Sequence, residues 1–271
     1  MDVSTTPILY ATLAAACFGG QVVVTMRSFA HVDPQTSSMI SIGTCVAVYW
    51  LLSPFLLKTA YLTNPGTWIF FMNGLIHPLF SIYLAFEATK RMGPTVAATI
   101  SATAPLFATA GAVLALGEQV TLMLLLGTVG TVAGVMILSW NRQGHRHWAL
   151  WMLIFPMGAA VIRGTNHILG KVGLEMVPSP YYAGLVSFTV SFFGSVLIYY
   201  LRMGTLPLVL PPKGLLWSAP AGLLIAIGIL SMYSALNCGR VVVVSPIIAA
   251  FPLFTLGISL LFRQERFRLR I

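Results

Sequence analysis

Charge is what this chain has least of: 8% of its 271 residues are Asp, Glu, Lys or Arg, against roughly 25% in an ordinary soluble domain. Only six are acids, too few for the solvated surface of a water-soluble fold. Cysteine is scarce too. Cys17, Cys45 and Cys238 all fall in apolar stretches, which fits small packing residues and argues against a disulfide framework. An H-x-x-x-H pair, paired carboxylates, a phosphate-cradling P-loop and a G-x-S-x-G elbow are all missing, so catalysis finds little support and no cofactor is implied. The segment Met1 to Pro7 has no basic cluster and no A-x-A cleavage site, so the first apolar run is expected to stay in the mature protein.

What the chain has instead is hydrophobic length. Runs without a charged residue cover 7–26, 34–57, 66–86, 92–117, 119–141, 176–201, 214–239 and 241–262. Each reaches the roughly 20 residues that a helix needs to cross a bilayer core. A ninth run, Trp148 to Ile162, is long enough only if Arg163 is taken inside it. The fold class expected is an all-α polytopic membrane protein with nine transmembrane helices, multi-pass in a lipid bilayer. The formal net charge of +9 would suggest nucleic acid in a soluble protein. Here the basic residues sit between the apolar runs, where they set topology and touch headgroups, so no nucleic-acid partner is implied.

The chain also repeats itself. Pro105-Leu106-Phe107 is followed by Glu118 thirteen residues after the proline, and Pro252-Leu253-Phe254 by Glu265 at the same interval. Tyr83-Leu84-Ala85 answers to Tyr233-Ser234-Ala235, and Gly20 and Pro34 match Gly164 and Pro178 at a common offset of 144. The polar segment 141–147 separates a first repeat, 1–140, from a second, 148–271. A repeat of five spans is odd, so successive copies enter the membrane in opposite senses, the inverted-repeat plan of many secondary transporters.

On these residues the chain resembles the drug/metabolite transporter superfamily, specifically proteins with two EamA-type repeats. The resemblance rests on Ala104-Pro105-Leu106-Phe107 running to Leu116-Gly117-Glu118, on Gly127 and Gly134, and on Phe251-Pro252-Leu253-Phe254 running to Glu265. It implies ten helices around a central cavity, alternating access without nucleotide hydrolysis, a small polar or amphipathic metabolite as substrate, and a plasma membrane, the bacterial inner membrane, as location. Two departures stand out. Arg263-Gln264 precede Glu265 where Gly117 precedes Glu118, and only six residues follow Glu265, so the second repeat is expected to lack its last helix. That shortfall favours the alternative of a non-transporting or degenerate membrane protein acting as an assembly partner.

The candidate substrate-binding residues are polar groups inside the apolar runs. An arginine at membrane depth costs several kcal/mol unless a cavity, a partner or snorkelling relieves it. Arg163, Asn166 and His167 fall on one stripe of a helical wheel with Gly170, which reads as a cavity wall for an anionic or carboxylate-bearing substrate. The plainer reading is an arginine that snorkels or pairs with Glu175. His77 precedes a helix-loosening Pro78 and offers a titratable group for proton coupling, unless it merely donates to a neighbouring helix. Gln21, Tyr83, Tyr233 and Asn237 complete the set, each equally explained as an interhelical bridge. Glu87 reads as an interfacial ion pair with Lys90 or Arg91. Gly127, Gly130 and Gly134 include a G-x-x-x-G pair suited to helix packing or to a homodimer contact. Pro105, Pro156, Pro220, Pro246 and Pro252 are candidate hinges or static kinks.

Counting Lys and Arg by side gives three residues with the N-terminus and eleven on the other face, so the charge rule places the segment 142–146 in the cytoplasm. A cysteine introduced at Gln143 should therefore stay unlabelled by an impermeant thiol reagent in intact cells and react after lysis; labelling in intact cells would reverse the orientation.

Overall fold

The structure is a computed structural model, and it describes residues 5–92, 94–139, 149–204 and 211–261. The segment 141–147 and the tail from residue 262, Glu265 included, lie outside the described residues. Among the described residues there is no strand.

Local sequence sets most helix limits. Helix α1 (Thr5–Ser28) turns into α2 (Pro34–Leu56) at Asp33, whose Oδ1 accepts the amides of Gln35 at 3.0 Å and Thr36 at 2.9 Å while Pro34 supplies a first residue that needs no partner. Asn64 Oδ1 accepts the Gly66 amide at 2.8 Å, where α3 (Gly66–Gly74) starts. A π-turn, Leu75–Phe80, carries α3 into α4 (Ser81–Met92), and His77 within it is extended at φ −132° and ψ 131°. After α5 (Pro94–Ser101) the chain breaks and resumes as α6 (Ala104–Leu116), which ends on the left-handed Gly117 at φ 64°. Helices α7 (Leu122–Ser139), α8 (Ile154–Met176), α9 (Pro180–Met203) and α10 (Pro212–Cys238) follow, then α11 (Val241–Ala249) and α12 (Phe251–Leu261).

These twelve helices make nine passes, because α3 with α4, α5 with α6, and α11 with α12 are each one crossing interrupted near its middle. Five crossings contain helix long and apolar enough to span a membrane, among them the combined stretch Val241–Leu261. Pro105 and Pro252 stand at the breaks, whereas Pro220 and Pro246 remain inside helices. Phe55, Leu114, Met123 and Leu261 lie more than four-fifths exposed, as expected for side chains that face lipid.

The repeats are interwoven. Helix α1 of the first repeat packs on α10, α11 and α12 of the second, and α8 of the second packs on α3, α4 and α6 of the first. A Cβ at Gly19 would lie 2.7 Å from Phe254 Cβ, 2.8 Å from the Thr255 nitrogen and 2.9 Å from the Phe251 carbonyl oxygen. A Cβ at Gly164 would meet the same three atom types, on Phe107 at 2.9 Å, Ala108 at 2.8 Å and Ala104 at 3.1 Å. Gly164 is thus the structural counterpart of Gly19, one residue before the Gly20 that the sequence match suggested.

A second pair of crossings repeats in the same way. Ser41 Oγ donates to the Ser218 carbonyl at 2.9 Å, and Ser187 Oγ to the Phe70 carbonyl at 3.0 Å. Four residues beyond each acceptor, Gly222 and Gly74 let the backbone of the same two serines lie directly against them. The contacts also give direction. Pro7 meets Gly239 and Ser28 meets Ser218, so α1 and α10 are antiparallel. Ser41 with Ser218 and Tyr49 with Ala226 make α2 and α10 parallel. Following such pairs around the bundle, through α9 and α3 to α8, leaves α1 and α8 running in opposite senses, which is the inverted repeat.

Interhelical hydroxyl bonds in membranes average about 0.6 kcal/mol each, so the close glycine crossings contribute more to holding the bundle. Gly19→Val and Gly164→Val should each destabilise the protein by about 1–3 kcal/mol through overpacking against backbone. Gly130→Val, whose Cβ would meet nothing within 4 Å, should leave thermal unfolding in detergent unchanged.

Candidate functional site

Three passes are interrupted, at His77, at residues 102–103 and at Ala250, and Arg163 stands inside α8. Arg163 is the tenth residue of the 23-residue α8, about 14 Å from its nearer end at 1.5 Å per residue. Glu175 is twelve residues on, about 18 Å along the axis, and exposed. The pairing of Arg163 with Glu175 considered from sequence does not form. Among the described residues the one ion pair is Arg91 Nε to Glu87 Oε2 at 2.9 Å, the interfacial pair expected for Glu87. The Arg91 guanidinium there also covers the rings of Trp151 and Phe155.

Arg163 has no hydrogen bond or acid partner among the described residues and is half-buried. It and His167 lie within electrostatic range of His77, the residue at the break between α3 and α4. His167 Nδ1 is buried without a partner. Asn166 is buried beside them, one turn before Gly170. Gly164, next to Arg163, faces the first turn of α6, so the guanidinium springs from backbone that lies against a half-helix N-terminus inside the membrane. Such an end carries partial positive charge from its unpaired amides. Arg163 and His167 of α8 thus lie near His77 at the α3–α4 break, and the α8 backbone next to Arg163 meets the first turn of α6.

The remaining candidates occupy other places. Gln21 follows Gly19 by two residues as Asn166 follows Gly164, so the two amides are counterparts; Gln21 Nε2 donates to Thr25 Oγ1 at 2.9 Å. The counterpart of Arg163 is Phe18, whose ring packs on Gly228, and the charge is thereby confined to one side of the two-fold. Tyr233 is 1% exposed. Its hydroxyl accepts from Asn73 Nδ2 at 3.1 Å and donates to Ser187 Oγ at 3.4 Å, and its ring lies against Gly170. It fills the junction of α3, α8, α9 and α10. Asn237 is exposed at the end of α10. The Tyr83 side chain lies outside what the structure describes. Among the described residues, nothing lies within 4 Å of a Cβ built at Gly127, Gly130 or Gly134.

Sequence reasoning assigned no role to a second charged cluster, at the membrane surface where α6, α8 and α10 end. Glu118 Oε1 and Oε2 accept the amides of Val241 at 2.8 Å and Val242 at 2.9 Å, so the motif carboxylate of the first repeat caps helix α11 of the second. Arg240 donates back to the Gln119 carbonyl. Lys171 Nζ donates to the carbonyls of Leu236 at 3.0 Å and Gly239 at 3.1 Å, closing the end of α10. The fixed interval from Pro105 to Glu118 was the available signal; the identity of the amides it serves, more than 120 residues away, was not.

A family model described as the EamA-like transporter family matches residues 5–140 and again residues 150–271. Twenty-one chains in solved structures match the fold. One of them, described only as a crystal structure of a protein, superposes with a TM-score of 0.80 at 16% identity, over 96% of this chain and 89% of the other. That likeness concerns the fold alone. No curated protein matches the chain.

A carboxylate that satisfies two helix-terminal amides contributes more than one ordinary cap. Glu118→Ala should cost about 1–3 kcal/mol by leaving those donors without their charged acceptor, read as a lower unfolding temperature in detergent, whereas Glu118→Gln should recover part of the loss. An Ala variant as stable as the parent would show the cap to be dispensable.

Proposed function

The chain belongs to the EamA-like transporter family, and on that footing we propose that it is a secondary carrier of a small anionic or carboxylate-bearing metabolite, working by alternating access. One observation carries the reading. Arg163, near the middle of α8 and without an acid partner among the described residues, adjoins Gly164, which packs on the N-terminal turn of α6, stands one turn from His167 and lies within electrostatic range of His77. A guanidinium left uncompensated within a membrane span is costly, and a substrate carboxylate is the partner that relieves the cost during each cycle. Arg163 is the anchor, His77 and His167 flank it, and Asn166 and Gln21 supply amides on either side of the two-fold.

Inverted repeats with interrupted helices provide the mechanical side of the proposal, since rocking one bundle against the other around a fixed site needs breaks at the depth of that site. His77, extended between two helical segments, is the group on which proton coupling would rest. The open glycine face of α7 is the surface on which a homodimer would form.

Reconstituted counterflow with a panel of amino acids, organic anions and organic cations tests the substrate class. Anions should exchange and cations should not. Arg163→Ala should weaken binding of the accepted substrate by about 2–5 kcal/mol, as expected for removal of one buried charge partner, with expression unchanged. Full affinity in Arg163→Ala, or exchange restricted to cations, would defeat the proposal.

A further inference from the structure

A separate cavity of 590 Å³ lies away from Arg163, at the membrane end where α1 and α9 begin and α2 and α10 finish. Its size is in the range of small-molecule sites, about 300–1,000 Å³. Its side walls are Leu13, Leu56, Ile227 and Leu230, each exposed on the outer surface of the bundle by 36–49%. The cavity is therefore a crevice continuous with the lipid-facing surface, and whatever fills it arrives from the bilayer.

The polar groups in this crevice are ordered by depth. Lys58, exposed at its rim, holds its ammonium 6.0 Å from the centre of the Tyr61 ring. Among the described residues, no Asp or Glu lines the crevice. Below the rim, Ser234 and Ser231 stand four and seven residues before the end of α10, about 6 and 10 Å down the axis. Neither hydroxyl has a hydrogen-bond partner among the described residues. The headgroup and interfacial region is roughly 5–8 Å thick on each side of a bilayer, so Ser234 sits at the level where the ester carbonyls of a glycerolipid run and Ser231 a few ångströms below it. Carbonyl esters accept hydrogen bonds and cannot donate, which complements free hydroxyls.

We propose that this crevice is a binding site for an anionic glycerophospholipid, with the phosphate and headgroup at Lys58, the glycerol esters on Ser234 and Ser231, and one acyl chain along Leu13, Ile227 and Leu230. Three matches in vertical order carry the assignment: a cation at headgroup height, bare hydroxyl donors at and just below ester height, and an apolar wall open to lipid below. Lys58 is the selective element, because the serines and the leucines serve any glycerolipid alike.

The test is native mass spectrometry of the purified full chain, delipidated in neutral detergent and titrated with phosphatidylglycerol or phosphatidylcholine bearing the same acyl chains. The parent should bind phosphatidylglycerol about fivefold more tightly, the factor one cation supplies near an anionic headgroup. Lys58→Gln should bind the two lipids equally, Lys58→Arg should restore the preference, and Lys213→Gln, at the opposite membrane face, should keep it. Ser231→Ala with Ser234→Ala should weaken both lipids alike. Equal binding by the parent, a preference that survives Lys58→Gln, unchanged binding in the double serine variant, or displacement by glycerol 3-phosphate lacking acyl chains would overturn the proposal. The last of these would mark a free-phosphate site instead.

Discussion

At Gly19 and Gly164 the first helix of each repeat is pressed onto the broken helix of the other, with backbone and Cβ atoms so close that a methyl group would stand 2.7–3.1 Å from them. Everything else in the bundle is arranged around these two crossings. They bind each repeat to its partner through its own first helix, and so no plane divides the molecule into two independent halves. They also bring the helices nearest to the breaks ahead of α6 and α12, and in doing so decide what lies beside the half-helix ends. Lipid offers no hydrophobic drive for helices to associate, so close approach of small residues is the main source of cohesion. The buried alanines that accompany these glycines, such as Ala108, Ala112, Ala159 and Ala160, serve the same end.

Scarcity of acid shapes the electrostatics. Of the six Asp and Glu residues in the chain, the four described ones, Asp33, Glu87, Glu118 and Glu175, lie at or near helix ends. Asp33 and Glu118 each cap a helix with two backbone amides, and Glu87 pairs with Arg91. None of the described acids reaches the middle of the membrane. The cation at Arg163 is in consequence left to other groups, and the helix terminus and imidazoles around it add positive character or neutral polarity without cancelling its charge. The two-fold sharpens this asymmetry, because the position equivalent to Arg163 is held by Phe18. A scaffold built from two similar repeats thus presents one chemically distinct wall.

The nine crossings, the inverted repeat and the family were legible in the chain itself. Charge-free length requires a helix in lipid, where every backbone amide has to be satisfied within its own segment, and an odd number of spans per repeat forces the inversion. The cation inside α8 was legible for the same reason: Arg163 stands out in an apolar run because its cost there demands relief. What the wheel could not supply was the environment of each polar neighbour. Tyr233 matches Arg163 in being polar within a span, yet its hydroxyl is used by Asn73 and Ser187. Asn237 shares its helix and lies at an exposed end.

Sequence by itself determined which segments cross the membrane, their alternating direction and the presence of an intramembrane cation, because these follow from local hydropathy and from the cost of charge in hydrocarbon. Only tertiary structure decided that Gly19 is the counterpart of Gly164, that Glu118 serves amides of the other repeat, and that Lys58 shares a crevice with Ser231 and Ser234. Those relations join residues 123–176 positions apart. They depend on helix rotation and register to within one residue, which a run of apolar side chains does not encode, since in lipid every face of such a helix is equally soluble and packing alone selects one.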